Sequence, residues 1–191
     1  MEATPHPMNA TPADPEDNEL LERFRAGDES AFDLLFLRHR DGLTRYAARL
    51  LGDPEEARDV CVDAFLRVVD GRFAHGRSLR ALLYTTTHRL CIDRLRRRTR
   101  WVRVRRLFGA APRTSITPEE RVTDGEDRDR LADAIERLPT KHKAAIGLVY
   151  DEGLTTEDAA AILDITPTQL RSRLAYARRL IRDHVQQEEA P

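Results

Sequence analysis

Large apolar side chains recur every three or four positions along most of this 191-residue chain. Phe32, Leu35, Phe36, Leu43, Tyr46, Ala47 and Leu50 form one series, with His39 in the same stripe. Ala57, Val60, Cys61, Ala64, Phe65 and Val68 form the next. That period lays a stripe along one side of an α-helix, whereas a half-buried strand would alternate apolar and polar residues. Asp28 stands where an N-cap belongs, and Gly52-Asp53-Pro54 ends the first series. Leu20, Leu21 and Phe24 open the pattern near residue 18, and Ser78 caps a long helix through Leu79, Leu82, Leu83, Thr86 and Leu90. No stretch alternates over any length, and aromatic residues make up only 6%, so the expected fold class is all-α.

The net charge of −1 hides a segregation. Residues 1–19 carry five acids and no Lys or Arg. Residues 89–106 carry nine arginines against Asp93 alone, and residues 119–136 carry eight acids against three arginines. A concentrated arginine block in a nearly neutral chain points to a local site for a polyanion. The competing reading is a solvated helix end favoured by the helix dipole.

These patterns divide the chain. Residues 1–17, with four prolines and few large apolar groups, read as a disordered acidic tail. A first small helical domain is expected over 18–100. The period breaks after Thr99, and "GAAPRTSITP" is turn chemistry, so 101–124 reads as a flexible linker. Trp101 and Phe108 in or beside it suit either a partner groove or the edge of the first domain. Thr117-Pro118-Glu119-Glu120 is a capping box, and a second small helical domain is expected over 125–186, with one helix starting at Pro139.

The second domain contains the most specific local pattern. Thr155 caps a short helix that would bury Ala159, Ala160, Ile162 and Leu163. The chain turns through Asp164-Ile165. Thr166-Pro167-Thr168-Gln169 is another capping box, after which Leu170, Leu174, Ala177 and Ile181 face inward. Two short helices around a three-residue turn make a helix-turn-helix pattern. An ordinary αα-hairpin with an arginine-rich outer face would look the same. In a DNA-binding motif of this kind the start of the second helix enters the major groove. Thr166, Thr168, Gln169, Arg171, Ser172 and Arg173 are therefore candidate contacts there, and Arg178 follows where phosphates lie. Gln pairs with adenine and Arg with guanine, each good pair discriminating by about 1–3 kcal/mol.

Taken in order, the pieces resemble a family, the RNA polymerase sigma factors of the extracytoplasmic-function group. "ELLERFRAGDESAFDLLFLRHRDGLTRYAARLLGDPEEARDVCVDAFLRVV" resembles sigma region 2.1–2.2, and "RFAHGRSLRALLYTTTHRLCIDRLRRR" resembles regions 2.3–2.4. "LPTKHKAAIGLVYDEGLTTEDAAAILDITPTQLRSRLAYARRL" resembles region 4. The resemblance spans about residues 18–186. It implies an alternative sigma factor that binds core RNA polymerase and directs promoter-specific initiation. It implies that Asp59, Val62, Asp63 and Leu66 dock on the β′ clamp helices. Promoter melting at the −10 element would fall to a loop with Phe73, His75, Arg77 and Ser78, and to Arg80, Tyr84, His88, Arg89, Arg94 and Arg97 on the following helix. The second domain would dock on the β-flap and read the −35 element through Thr168–Arg173. An anti-sigma factor is a further implied partner. The sequence departs from the family's usual residues at Leu82 (often Trp), Arg89 (Asn), Val62 (Gln), Asp63 (Glu), Asp164 (Gly), and Pro167 and Thr168. Asp is among the residues that tolerate a left-handed backbone, so the turn can survive. The alternative function is a free-standing helix-turn-helix regulator.

Other classes find no support in the residues. No apolar run approaches the roughly 20 residues that span a bilayer, and the N-terminal residues lack a signal peptide's basic and apolar parts. A cytoplasmic protein with no membrane insertion is expected. Cys61 and Cys91 read as packed thiols in a reducing compartment, and His88 with Cys91 three residues on does not amount to a metal site. No phosphate-binding loop, nucleophile elbow or metalloprotease motif occurs, so no enzyme, cofactor or metal is expected.

Overall fold

The computed structural model describes residues 15–70, 78–107 and 126–188, and every regular element among them is helical. Four helices build the first bundle: α1 (Pro15–Arg25), α2 (Glu29–Leu51), α3 (Pro54–Asp70) and α4 (Leu79–Leu107). The sequence dictates their ends. Asp28 accepts a hydrogen bond from the Ser30 N–H at 3.1 Å and so starts α2. Gly52 takes the left-handed conformation, φ 67°, that closes it. Asp53 then accepts from the Glu56 N–H at 3.0 Å and starts α3.

α2 packs against α1, α3 and α4, and α3 against α4. The 3–4 stripe becomes the core: Leu35, Leu43, Tyr46, Val60, Phe65 and Leu83 are almost fully buried. Phe36 meets Phe65 edge-on at 5.0 Å, and Phe24 meets Phe32 at 5.5 Å, which ties α1 and α3 to the start of α2. Such ring pairs add about 0.5–1.5 kcal/mol each beyond their buried area.

Two boundaries differ from the sequence expectation. α1 begins at Pro15, so Glu16 and Asp17, expected in the tail, are helical. The cause is tertiary: buried Asp17 accepts from Arg38 at 3.0 Å and lies 2.7 Å from His39 Nε2, both on α2. α4 likewise runs on to Leu107, through residues expected in the linker, and leaves Trp101 on it 67% exposed rather than packed on an edge. The capping box at 117–120 and Phe108 lie outside the described residues.

The second bundle holds α5 (Glu126–Glu136), α6 (Thr140–Ile146), α7 (Thr156–Ile162) and α8 (Pro167–Glu188). α6 continues into a π-helical turn, Gly147–Asp151, closed by the Glu152 N–H on the Gly147 carbonyl at 3.0 Å. Thr155 caps α7 as expected, its hydroxyl accepting from the Asp158 N–H at 3.1 Å. Asp164 sits at φ 53°, so it carries the left-handed turn that the sequence required of it. Leu170, Leu174 and Ala177 bury the inner face of α8 against α5, α6 and α7. The two bundles also touch: α6 and the π-turn pack on α2, and α7 packs on α4.

The Asp17 contact makes a pH prediction. Burial alone would raise its carboxyl, but hydrogen bonds and charge from His39 and Arg38 outweigh burial and hold it below 3.8. Its stabilising contribution is complete above that value and lost as the pH falls through the lower native one. Asp17→Asn should therefore cost about 2 kcal/mol at neutral pH in denaturant unfolding and should blunt the loss of stability on acidification below pH 3.8.

Candidate nucleic-acid interface

The exposed start of α8 is built by its capping box. The Thr166 N–H donates to Gln169 Oε1 at 2.9 Å, and the Gln169 N–H donates to Thr166 Oγ1 at 3.2 Å. Pro167 needs no donor at the first helical position. Thr166, Thr168, Gln169, Arg171 and Ser172 share this exposed end, with Arg171 donating to Thr168 Oγ1 at 3.1 Å. The cap uses one of the two lone pairs of the Gln169 carbonyl oxygen and leaves its amide N–H groups and the other lone pair for a base edge.

The other arginines of α8 are arranged differently. Arg178 is exposed one to two turns on. Arg179 lies over the Tyr176 ring at 5.0 Å, and that ring lies 4.9 Å from His142. Arg173 is half-buried, and its carbonyl accepts from His142 Nδ1 at 3.1 Å. Burial, opposed by that hydrogen bond and aided by Lys141 and Arg173, leaves His142 below the usual imidazole value.

α4 divides its expected DNA contacts into three sets. Arg89 and Arg97 are exposed. Arg94 is half-buried and donates to the Glu56 carbonyl and to Asp63, each at 3.0 Å, so it braces α3. Arg98 similarly braces the Leu51 carbonyl and Glu56. Arg80, Tyr84 and His88 turn toward the second bundle. Tyr84 is only 3% exposed and donates its hydroxyl to the Glu152 carboxylate, while Arg80 donates to the Glu152 carbonyl. Burial first, then the Glu152 hydrogen bond and charge, push the Tyr84 phenol far up. His88 Nδ1 lies 2.9 Å from the Tyr46 hydroxyl. In this arrangement Tyr84 and His88 therefore line the contact between bundles rather than an open strand path. Ser78 is half-buried just before α4, and Phe73, His75 and Arg77 lie outside the described residues.

On α3, Asp59, Val62, Asp63 and Leu66 fall on one outward face, with Val62 and Leu66 both about half exposed. Leu34 and Leu37 are also exposed, on α2, and sequence reading passed over them. Their signal was present: two leucines off the buried stripe. Arg45, Arg49, Asp151 and Glu152 were missed as well, because their pairing joins distant parts of the chain. Cys61 and Cys91 are free and buried, and burial raises the Cys91 thiol to about 12. No group of potential metal ligands assembles among the described residues, and no helix among them is long and apolar enough to cross a membrane.

Comparison with known proteins follows this division. Residues 35–101 match the family described as Sigma-70 region 2, and residues 128–181 match Sigma-70, region 4. The chain is 33% identical over 164 residues to the ECF RNA polymerase sigma factor SigL of Mycobacterium tuberculosis, covering 82% of this chain and 90% of that one. It is 32% identical to the ECF sigma factor SigM of the same species, covering 85% and 81%. Among solved structures, the sigma factor RpoE bound to the anti-sigma factor NepR from Bartonella quintana superposes with a TM-score of 0.66 at 23% identity, covering 81% of this chain and 96% of that one.

The His88 site supplies a test of the contact between bundles. Burial, then the charges of Arg173 and Arg89, push its imidazole down to about 4. The native ring is thus neutral at pH 7, whereas the unfolded chain takes up its proton near 6.5. Stability should fall as the pH drops from 6.5 toward 4. In an NMR titration the His88 ring protons should show a midpoint near 4, and separating the bundles should raise it.

Proposed function

Because this chain belongs to the extracytoplasmic-function RNA polymerase sigma factors, we propose a division of its work between the two bundles. The protein is an alternative sigma factor that directs transcription. In this reading the first bundle docks on the β′ clamp helices through the α3 face of Asp59, Val62, Asp63 and Leu66, joined by the exposed leucines of α2. Residues 71–78 and the face of α4 then take hold of the melted −10 strand. Flipping a base out of the stack costs a few kcal/mol, so the protein must repay it with stacking and edge contacts. Phe73 supplies an aromatic face and Arg89 and Arg97 supply charge along the strand, joined by Tyr84 and Arg80 once the bundles part. The second bundle meets the β-flap and lays the start of α8 in the major groove of the −35 element.

The observation that carries this reading is the capped, outward-facing start of α8, with Thr168, Gln169, Arg171 and Ser172 exposed together and arginines behind them. Two modest readers on one chain gain affinity when both engage one DNA, since the second contact is intramolecular. In this reading bond-making chemistry is left to the polymerase, and the protein works beside it in the cytoplasm. A likeness to a sigma factor solved with its anti-sigma factor supports the same kind of partner here.

Run-off transcription with core polymerase on pooled genomic fragments tests the whole assignment. Discrete new start sites sharing an upstream element are expected. Silence from folded protein with active core would favour the free-standing regulator. Arg171→Ala should remove about 1–3 kcal/mol of promoter discrimination while leaving core binding unchanged in a pull-down or anisotropy assay. Equal loss of both would refute the division of labour.

A further inference from the structure

Three arginines and one phenol of the first bundle converge on two acids of the second. Glu152, with a side chain only 5% exposed, accepts from Arg45 Nε at 3.1 Å and Arg45 Nη2 at 2.9 Å, and its other oxygen accepts from the Tyr84 hydroxyl. Its carbonyl accepts from Arg80. Asp151 pairs with Arg49 at 2.6 Å. Two oxygens, one held by two nitrogens of a guanidinium and the other by a hydroxyl, with two further guanidiniums close by, is an arrangement that a phosphodiester would satisfy. Arg49 Nε is buried with no hydrogen-bond partner among the described residues, so Asp151 leaves this cluster a donor unused.

We propose that Arg45, Arg49, Arg80 and Tyr84 form a binding site for the phosphate backbone of a single DNA strand, and that Asp151 and Glu152 close it from within the chain. The proposal rests on the reading of Arg80 and Tyr84 as strand contacts and adds Arg45 and Arg49 to them. All four groups belong to α2 and α4, while both acids arrive from the far side of the linker. When the bundles part, as simultaneous contact with separated promoter elements demands, a cluster of cations is left without its acids and calls for another anion.

The backbone is shaped for this closure. Gly42 lies inside α2, where Ala would be favoured by about 1 kcal/mol. A Cβ there would come within 2.6 Å of both the Glu152 carboxylate and the Tyr84 hydroxyl. Gly147, in the π-turn, brings its backbone so near Tyr46 that a Cβ would stand 3.0 Å from the ring. Both glycines sit where one bundle must approach the other.

Closure lowers the fraction of molecules ready to bind and weakens the apparent affinity by that fraction. The test uses the full chain without polymerase, a short fluorescent oligothymidylate as probe, and small-angle scattering to follow the separation of the bundles. Glu152→Gln should expand the protein and tighten probe binding by about five- to tenfold. Asp151→Asn should do the same. It removes only the ion pair with Arg49 across the closed contact, so it keeps the test informative should Glu152→Gln fail to fold. Adding Arg45→Ala and Arg49→Ala to either variant should abolish the gain. Expansion without a gain, or a gain that survives loss of both arginines, would overturn the site; no expansion in either folded variant would overturn the closure. Failure of the sigma-factor reading itself would show separately, as silence of the wild-type protein in run-off transcription.

Discussion

α2 meets more of the other helices than any other element of the first bundle, and the remaining elements are arranged around what its inner faces need. α1, α3, α4 and α6 all pack on it. A helix met from so many sides places polar side chains as well as its apolar stripe against its neighbours, and each buried one left unpaired would cost about 1–3 kcal/mol. The partners come from every direction. His39 finds Asp17 on α1, Tyr46 finds His88 on α4, and Arg45 and Arg49 find the acids that follow α6. The start of α1, the depth of α4 and the seat of the second bundle thus answer to one helix.

The local elements were legible in the sequence because caps act locally. Asp28, Gly52, Thr155 and the Thr166–Gln169 box each complete their hydrogen bonds within a few residues, and all of them appear as read. Asp164 shows the same: its left-handed φ follows from a turn that its neighbours force. What escaped was tertiary. Pro15 and Glu16 looked like tail, yet a buried aspartate bound to α2 makes them helix. Trp101 stood where the apolar period fades, but α4 needs no inward stripe once it extends past its bundle. Glu152 lies 107 residues from Arg45, and no pattern of spacing announces such a pair.

The arginine block deserves a finer description than its total charge. Nine arginines within residues 89–106 suggest one polyanion surface. Arg94 and Arg98, however, are spent on Asp63, Glu56 and carbonyls of their own bundle. They hold α4 against α3, while Arg89 and Arg97 stay exposed. The same residue type serves as mortar and as surface along one helix. Which role each plays depends on the face it occupies, so a count of charges overstates the surface that meets DNA.

The π-turn at Gly147–Asp151 carries a consequence of its own. Such a turn accommodates one residue more than an α-helix would, and one residue rotates everything after it by about 100° about the axis. Asp151 and Glu152 face the first bundle at the end of that widened turn. Their meeting with Arg49 and Arg45 is thus a matter of helical phase. A relative with the same acids and arginines, but a regular helix in place of this turn, would point its carboxylates elsewhere and leave its two halves uncoupled.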